Sequence, residues 1–210
     1  MQGDYIQFGC GVCAPPSWRN FDASPTFWLQ SRLPFLKPML LRRGFFDYPK
    51  NIAFGDVVKG LPVNPQSAKA IYCSHVLEHL TLEEFRAAVR NVFNYLQHDG
   101  CFRLVVPDLE FLANQYVTDM EKGASSRFLE KSLLGEKAIQ RGLIGLPRQL
   151  FGRSKHYWMW DYRTIEPELS DAGFVDIRRA EFGDSGDSHF TEVENPGRWE
   201  NCLGVECRRQ

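Results

Sequence analysis

The sequence predicts an α/β fold: one mostly parallel sheet of about seven strands, covered on both faces and finished by an antiparallel C-terminal strand. Three observations carry that prediction. Short apolar runs alternate with helical or loop segments through the first half of the chain, as parallel strands with crossover connections do. The first run stops at Gly9-Cys10-Gly11 and the second at Asp22, a glycine turn followed by an acid, which is the layout of a nucleoside-binding α/β fold. Near the C-terminus two apolar runs lie close together with no helix between them, so the sheet is expected to end in an antiparallel pair.

The elements follow in order. Tyr5, Ile6 and Phe8 have the bulk of a buried strand. Gly9 and Gly11 stop it, because glycine takes positive φ and lets backbone approach a ligand. Only a short link carrying Pro15-Pro16 leads to Trp18, Phe21 and Asp22, so the first crossover helix is expected to be a single turn or missing. Residues 24–50 are hydrophobic and punctuated by Pro34 and Pro38, which predicts short helical pieces packed on the chain's own sheet or forming a lid. Residues 52–54 and 70–73 are the next strands, the latter ending at Ser74-His75. Thr81 with Glu84 makes a capping box. Phe85, Ala88, Val89, Val92, Phe93 and Leu96 then recur at helical spacing until Asp99-Gly100. Residues 101–106 form the fifth strand, stopped by Pro107. A helical cover or lid is expected over 108–160, with an aromatic loop at 156–161. A helix capped by Thr164 and ended by Gly173, a strand at 174–182, a polar loop at 183–199 and a last strand at 202–207 complete a single domain over residues 1–210.

Composition narrows the function classes. The 210 residues suffice for one domain with a large core. A net charge of −1 gives no global field for nucleic acid, and no apolar run reaches the ~20 residues of a membrane helix. The six cysteines are scattered, with Cys10, Cys73 and Cys101 beside or within apolar runs, which fits reduced core thiols and a cytoplasmic protein. Cys10-Gly11-Val12-Cys13 has no second pair at zinc-ribbon spacing, so no metal is expected there.

Taken together, several stretches resemble the class I S-adenosylmethionine-dependent methyltransferases, and in particular a bacterial family of predicted methyltransferases. They are Gly9-Cys10-Gly11, Asp22, Asp56 with Leu61-Pro62, and Ser74-His75-Val76-Leu77-Glu78-His79-Leu80. Asp99-Gly100 with Val105-Val106-Pro107-Asp108-Leu109-Glu110, and His156-Tyr157-Trp158-Met159-Trp160-Asp161, complete the set. The resemblance implies a Rossmann-like three-layer α/β/α sandwich and S-adenosylmethionine as cofactor. It places Gly9, Cys10 and Gly11 under the methionine part, Asp22 on the ribose, Asp56 and Val57 beside the adenine, and Ser74 facing the sulfonium and the substrate. Gln7 stands where many relatives carry an acid, and Pro15-Pro16 replaces the usual third glycine and helix start.

His75 and His79 are the candidate catalytic bases, since histidine titrates near neutral pH and both leave the fourth strand at the sheet's carboxyl edge. If a helix starts near His75, then His75, Glu78 and His79 share one face. The expectation is a metal-independent transfer to a small-molecule, carbohydrate or lipid-linked acceptor. Two alternatives stand beside it. One is a non-catalytic binding module that keeps the fold and serves a partner through 24–50. The other is a metal-assisted RNA 2′-O-methyltransferase, because His75–His79 resembles the ExxEH stretch of small-RNA methyltransferases with His75 in place of the first Glu. A metal needs a further ligand, and the obvious donors, His156 and Asp161, lie far along the chain and are not expected to converge.

Overall fold

β1 (Asp4–Phe8) is the strand from which the sheet grows in both directions. In this computed structural model, which describes residues 3–135 and 155–210, β1 pairs in parallel with β2 (Arg19–Asp22) on one side and β4 (Ala68–Ser74) on the other. β3 (Ile52–Phe54) extends the sheet beyond β2, and β5 (Leu96–Pro107) extends it beyond β4, both in parallel. β7 (Cys202–Arg209) then inserts antiparallel between β5 and β6 (Phe174–Ala180). The seven-stranded order is β3-β2-β1-β4-β5-β7-β6, the mostly parallel sheet with an antiparallel C-terminal strand that the sequence predicts.

Alternation along the central strands builds two cores. Ile6, Phe8, Ile71, Cys73, Phe102 and Leu104 face one side. There they meet Phe85, Val89 and Val92 of α3 (Leu82–Tyr95), and Ile165 and Leu169 of α6 (Tyr162–Asp171). The capping box at Thr81 and Glu84 forms as expected. That helix ends at Tyr95, however, and Leu96 already pairs with Ala68. The Asp99-Gly100 turn therefore bulges out of a strand instead of ending a helix, with Asp99 at φ 60°. At α6 the cap is Asp161, whose side chain accepts from the Thr164 N–H, three residues earlier than the sequence suggests.

The opposite face is covered differently. Tyr5, Ala70, Tyr72 and Val105 pack against Trp18, Phe190, Val193 and Trp199. These four come from the β1–β2 link and from short 3-10 turns within 183–199, so the loop read as polar supplies a core layer. As expected, the β1–β2 crossover has no helix. Gln7 holds that short link, donating to the Cys13 carbonyl (2.7 Å) and to Asn20 Oδ1 (2.5 Å) from inside the sheet.

Residues 24–50 form α1 (Pro25–Arg32), a 3-10 turn and α2 (Lys37–Arg42). The stretch, expected to pack on the sheet or to form a lid, has both buried and outward-facing apolar residues. Phe27 seats against Cys10 and Ile52, and Leu40 is buried, but Trp28, Phe35, Met39 and Phe46 face outward. α4 (Leu109–Thr118) and α5 (Ala124–Lys131) follow β5; the helical cover or lid expected over 108–160 falls partly on 136–154, which lie outside the described residues. No helix among the described residues is long and apolar enough to cross a membrane. All six cysteines are free, and Cys10, Cys73 and Cys101 are buried.

One charge sits at the centre of the second core. Arg103, on β5, is 0% exposed. Its guanidinium donates to Glu194 (2.5 Å), to Glu206 (3.0 Å) and to the Glu181 carbonyl (2.6 Å), and lies 2.9 Å from Asp184. Its flat face rests 4.6 Å from the Trp199 ring centroid. Burial opposes the charge, but these carboxylates outweigh it and hold the guanidinium protonated.

Candidate functional site

The carboxyl ends of β1, β2, β3 and β4 share one edge, and the chain turns opposite ways from β1 to reach β2 and β4. Ligands of open α/β sheets bind in the crevice that this reversal opens. A cavity of about 320 Å³ lies there, lined among others by Gly9, Asp22, Asp56, Val57, His75 and His79. Its size falls within the range of small-molecule sites.

Each wall has a local cause. Gly9 sits at φ 64°, and a Cβ on it would stand 2.2 Å from Val76 Cγ2, so only glycine lets β1 end against the β4 loop. Asp22 is buried at the end of β2, with Oδ2 accepting from the Gly11 N–H (2.9 Å) and Oδ1 from the Ser24 N–H (2.7 Å). A carboxylate offers about four lone-pair sites, so each oxygen keeps one for a ligand hydroxyl. Asp56 Oδ1 accepts from the Val58 N–H (3.0 Å), which fixes the Asp56–Val57 turn as another wall.

Not every expected residue reaches this cavity. Cys10 turns away into the cluster with Phe27 and Ile52, and burial pushes its thiol up to about 12. Gly11 contributes through its bond to Asp22. Ser74 lines neither this cavity nor the second one described below. Its Oγ and its carbonyl both accept from Arg198, at 3.0 and 2.6 Å. Sequence reasoning missed Arg198, which approaches from a loop 124 positions downstream.

No helix starts at His75. The residue sits at φ 55°, a 3-10 turn covers Leu77–His79, and α3 begins only at Leu82. The histidines therefore part company. His75 Nε2 donates to the Arg198 carbonyl (2.9 Å) and lies 3.7 Å from Cys202 Sγ. Its Nδ1 comes within 3.3 Å of Glu78 Oε1, near enough for charge attraction but without hydrogen-bond alignment. Burial opposes protonation of His75, but the contacts with Cys202 and Glu78 outweigh it and push the imidazole up to about 10. His79 turns the other way. Its Nδ1 donates to the Lys155 carbonyl (3.1 Å), and its ring lies 5.0 Å from that of His156.

The 156–161 loop is drawn in by the backbone. The Tyr157 and Trp158 N–H groups donate to the Glu78 carbonyl (2.8 and 3.3 Å), and the Leu109 N–H donates to the Trp160 carbonyl (2.8 Å). Trp160 is fully buried against Phe85. His156 is thereby carried to Glu78 and His79, contrary to the expected separation, while Asp161 stays away as a helix cap. Burial pushes the His156 imidazole down, toward its neutral form.

A second cavity, of about 390 Å³, opens on the other side of His75. Pro107, Phe111, Leu112, His156 and Cys202 line it. His75 belongs to both walls, so it and its neighbours divide two adjoining spaces.

No protein-family model matches the chain, and no curated protein matches it. Solved structures do. An S-adenosylmethionine-dependent methyltransferase, possible histamine N-methyltransferase, from Thermotoga maritima superposes with a TM-score of 0.53 and 14% identity. The match covers 100% of this chain and 84% of that one. The fold is that of an S-adenosylmethionine-dependent methyltransferase. A protein from Pyrococcus horikoshii OT3 aligns with a TM-score of 0.51 and 11% identity, over 100% of this chain and 83% of its own. At such identities the likeness concerns the fold, and residue roles rest on the geometry above.

Proposed function

We propose that the chain is an S-adenosylmethionine-dependent methyltransferase acting on a small-molecule, carbohydrate or lipid-linked acceptor. The observation that carries the reading is the cavity at the β1/β4 reversal, walled by Gly9, Asp22 and Asp56 in a methyltransferase fold. Asp22 would hold the ribose hydroxyls with its remaining lone pairs, and Asp56 and Val57 would flank the adenine. The bound cofactor supplies an electrophilic methyl group, so the protein's task is chiefly position and the exclusion of water. The second, mainly apolar cavity, with Pro107, Phe111 and Leu112 in its wall, is the acceptor's place in this reading. His75 has both ring nitrogens directed at protein groups and would fix the partition between the two spaces. Among the described residues His79 Nε2 has no hydrogen-bond partner, and in a metal-independent transfer it is the candidate to receive the acceptor's proton. Ser74 acts through Arg198 as a tether of the β4 end.

Calorimetry tests the cofactor half. S-adenosylhomocysteine is expected to bind, and Asp22→Ala to weaken it by about 10–100-fold, the loss of charge-assisted hydrogen bonds worth roughly 1.5–3 kcal/mol. Heat with NAD but none with S-adenosylhomocysteine would overturn the reading. Turnover, followed as S-adenosylhomocysteine release over a panel of acceptors, tests the other half. His79→Ala is expected to slow it about 10²–10⁴-fold while keeping cofactor affinity. A cofactor that binds without turnover on a cognate acceptor would leave the binding-module alternative.

A further inference from the structure

We infer that Glu78, His79 and His156 form a binding site for one first-row divalent metal ion, set in the partition between the two cavities. Donor atoms of the three side chains lie within 4.8 Å of one another, the spacing of ligands around a single cation. The stronger argument is what these groups lack. Glu78 is 0% exposed, and neither of its carboxylate oxygens has a hydrogen-bond partner. His156 is 5% exposed, and its Nδ1 is likewise unpartnered. A buried carboxylate without donors costs several kcal/mol unless a charge compensates it. His75 Nδ1 lies 3.3 Å from Oε1 on one side without hydrogen-bond alignment, and Oε2 has no hydrogen-bond partner.

The outer contacts match those of metal-binding histidines. Such a histidine donates one ring N–H to a carbonyl or carboxylate, which turns the other nitrogen's lone pair toward the ion. His79 does this through Nδ1 and the Lys155 carbonyl, leaving Nε2. His156 has a hydrogen bond to the Ser132 backbone and leaves Nδ1. The Glu78 side chain is positioned by its own backbone, since its carbonyl anchors the Tyr157 and Trp158 N–H groups that follow His156. Ligands distant in sequence are thus locked in one register.

Two imidazoles and one carboxylate suit zinc, cobalt, manganese or iron, and disfavour magnesium and calcium, which prefer all-oxygen sets. Three protein ligands leave coordination positions open. His79 lines the first cavity and His156 the second, so an open position faces the boundary between them. Resting on the methyltransferase reading, the ion would hold an oxygen of the acceptor beside the cofactor and polarise it, a role that replaces proton acceptance by His79, whose Nε2 lone pair the ion would occupy. The ion site itself requires no reaction.

The test uses the whole chain stripped with a chelator and titrated with Zn²⁺ and Co²⁺, by calorimetry and by the visible spectrum of Co²⁺. One ion per chain is expected, with affinity reduced at least about 10²-fold in His79→Ala and in His156→Ala. Cys13→Ser and His98→Ala, which remove an exposed thiol and an exposed imidazole, should leave uptake unchanged. Glu78→Gln supplies a second readout. It should raise the melting temperature of the metal-free chain, and it should abolish the further rise that Zn²⁺ gives the wild type. Failure of the wild type to take up an ion, uptake that survives both histidine variants, or uptake that follows Cys13 would each overturn the site and leave Glu78 as the partner of His75 alone. S-adenosylhomocysteine binding measured on the same samples keeps this result separate from the cofactor reading.

Discussion

Among the described residues Arg103 and Glu78 are the charged ones at 0% exposure, and the structure treats them in opposite ways. Arg103 spends its donors on Glu194, Glu206 and the Glu181 carbonyl, beneath the Trp199 ring. Glu78, one strand away at the carboxyl end of β4, has a histidine near one oxygen and no hydrogen bond to either. Burial is equal, so burial does not separate structure from function here. Saturation does. A buried charge with every partner in place works as a fastener, whereas one with open lone pairs is complete only when something outside the chain arrives.

The contrast can be broken most sharply at Arg103. Arg103→Ala removes the common partner of Glu194, Glu206 and Asp184, and a loss of about 3–5 kcal/mol is expected in urea unfolding. A loss below about 1 kcal/mol would show that saturation does not mark a structural role. At Glu78 the expected sign is reversed. Without metal, Glu78→Gln should stabilise the fold by about 1–3 kcal/mol, because an amide is cheaper to bury unpartnered than a carboxylate. A large loss there would place Glu78 with the fasteners.

The smallest effect is expected at a saturated carboxylate near the surface. Burial acts against the charge of Asp187, yet the His189 N–H, the Tyr5 hydroxyl, the His189 ring and Lys69 outweigh it and bring its carboxyl down to about 2. A folded-state value below the unfolded one gives stability that is fully present above the ordinary carboxylate value near 3.8 and lost as pH falls through about 2. Asp187→Asn should therefore flatten the acid limb of the stability curve between those values. Parallel acid limbs for the variant and the wild type would argue against the assignment.

Much of this was legible in the sequence, and the rest had physical reasons to stay hidden. Strand alternation, the Thr81 capping box and the helix-free β1–β2 link are local, so the residues that make them are neighbours in the chain. The Gly9 turn and Asp22 could be read for the same reason. Arg103 left a signal that went unused: a cation in the middle of the apolar run 101–106 must be buried, and so must be paired. Gln7 inside β1 is a milder case. The meeting of His79 with His156 left none, because it depends on backbone bonds from the 156–161 loop to Glu78, and spacing along the chain carries no trace of such bonds. The reading of 183–199 as a polar loop failed because Phe190, Val193 and Trp199 are too sparse there to show a period.

The place of β7 has a consequence for how the protein is made. Synthesis proceeds from the N-terminus, and β7, the last in chain order of the seven strands described in this sheet, lies inside it between β5 and β6. Until it emerges, β5 exposes the whole edge from Cys101 to Pro107 and β6 has no neighbour among the described strands. Folding on the ribosome can advance through the five parallel strands and must then wait. During that wait the Arg103 guanidinium lacks Glu206, which β7 itself carries, and has only the earlier carboxylates Asp184 and Glu194 to meet it, so the nascent chain holds a charge with fewer partners beside an open strand edge. A cation there discourages pairing with other chains, as charged residues on exposed edges do. The residue that fastens the finished sheet thereby also guards the unfinished one.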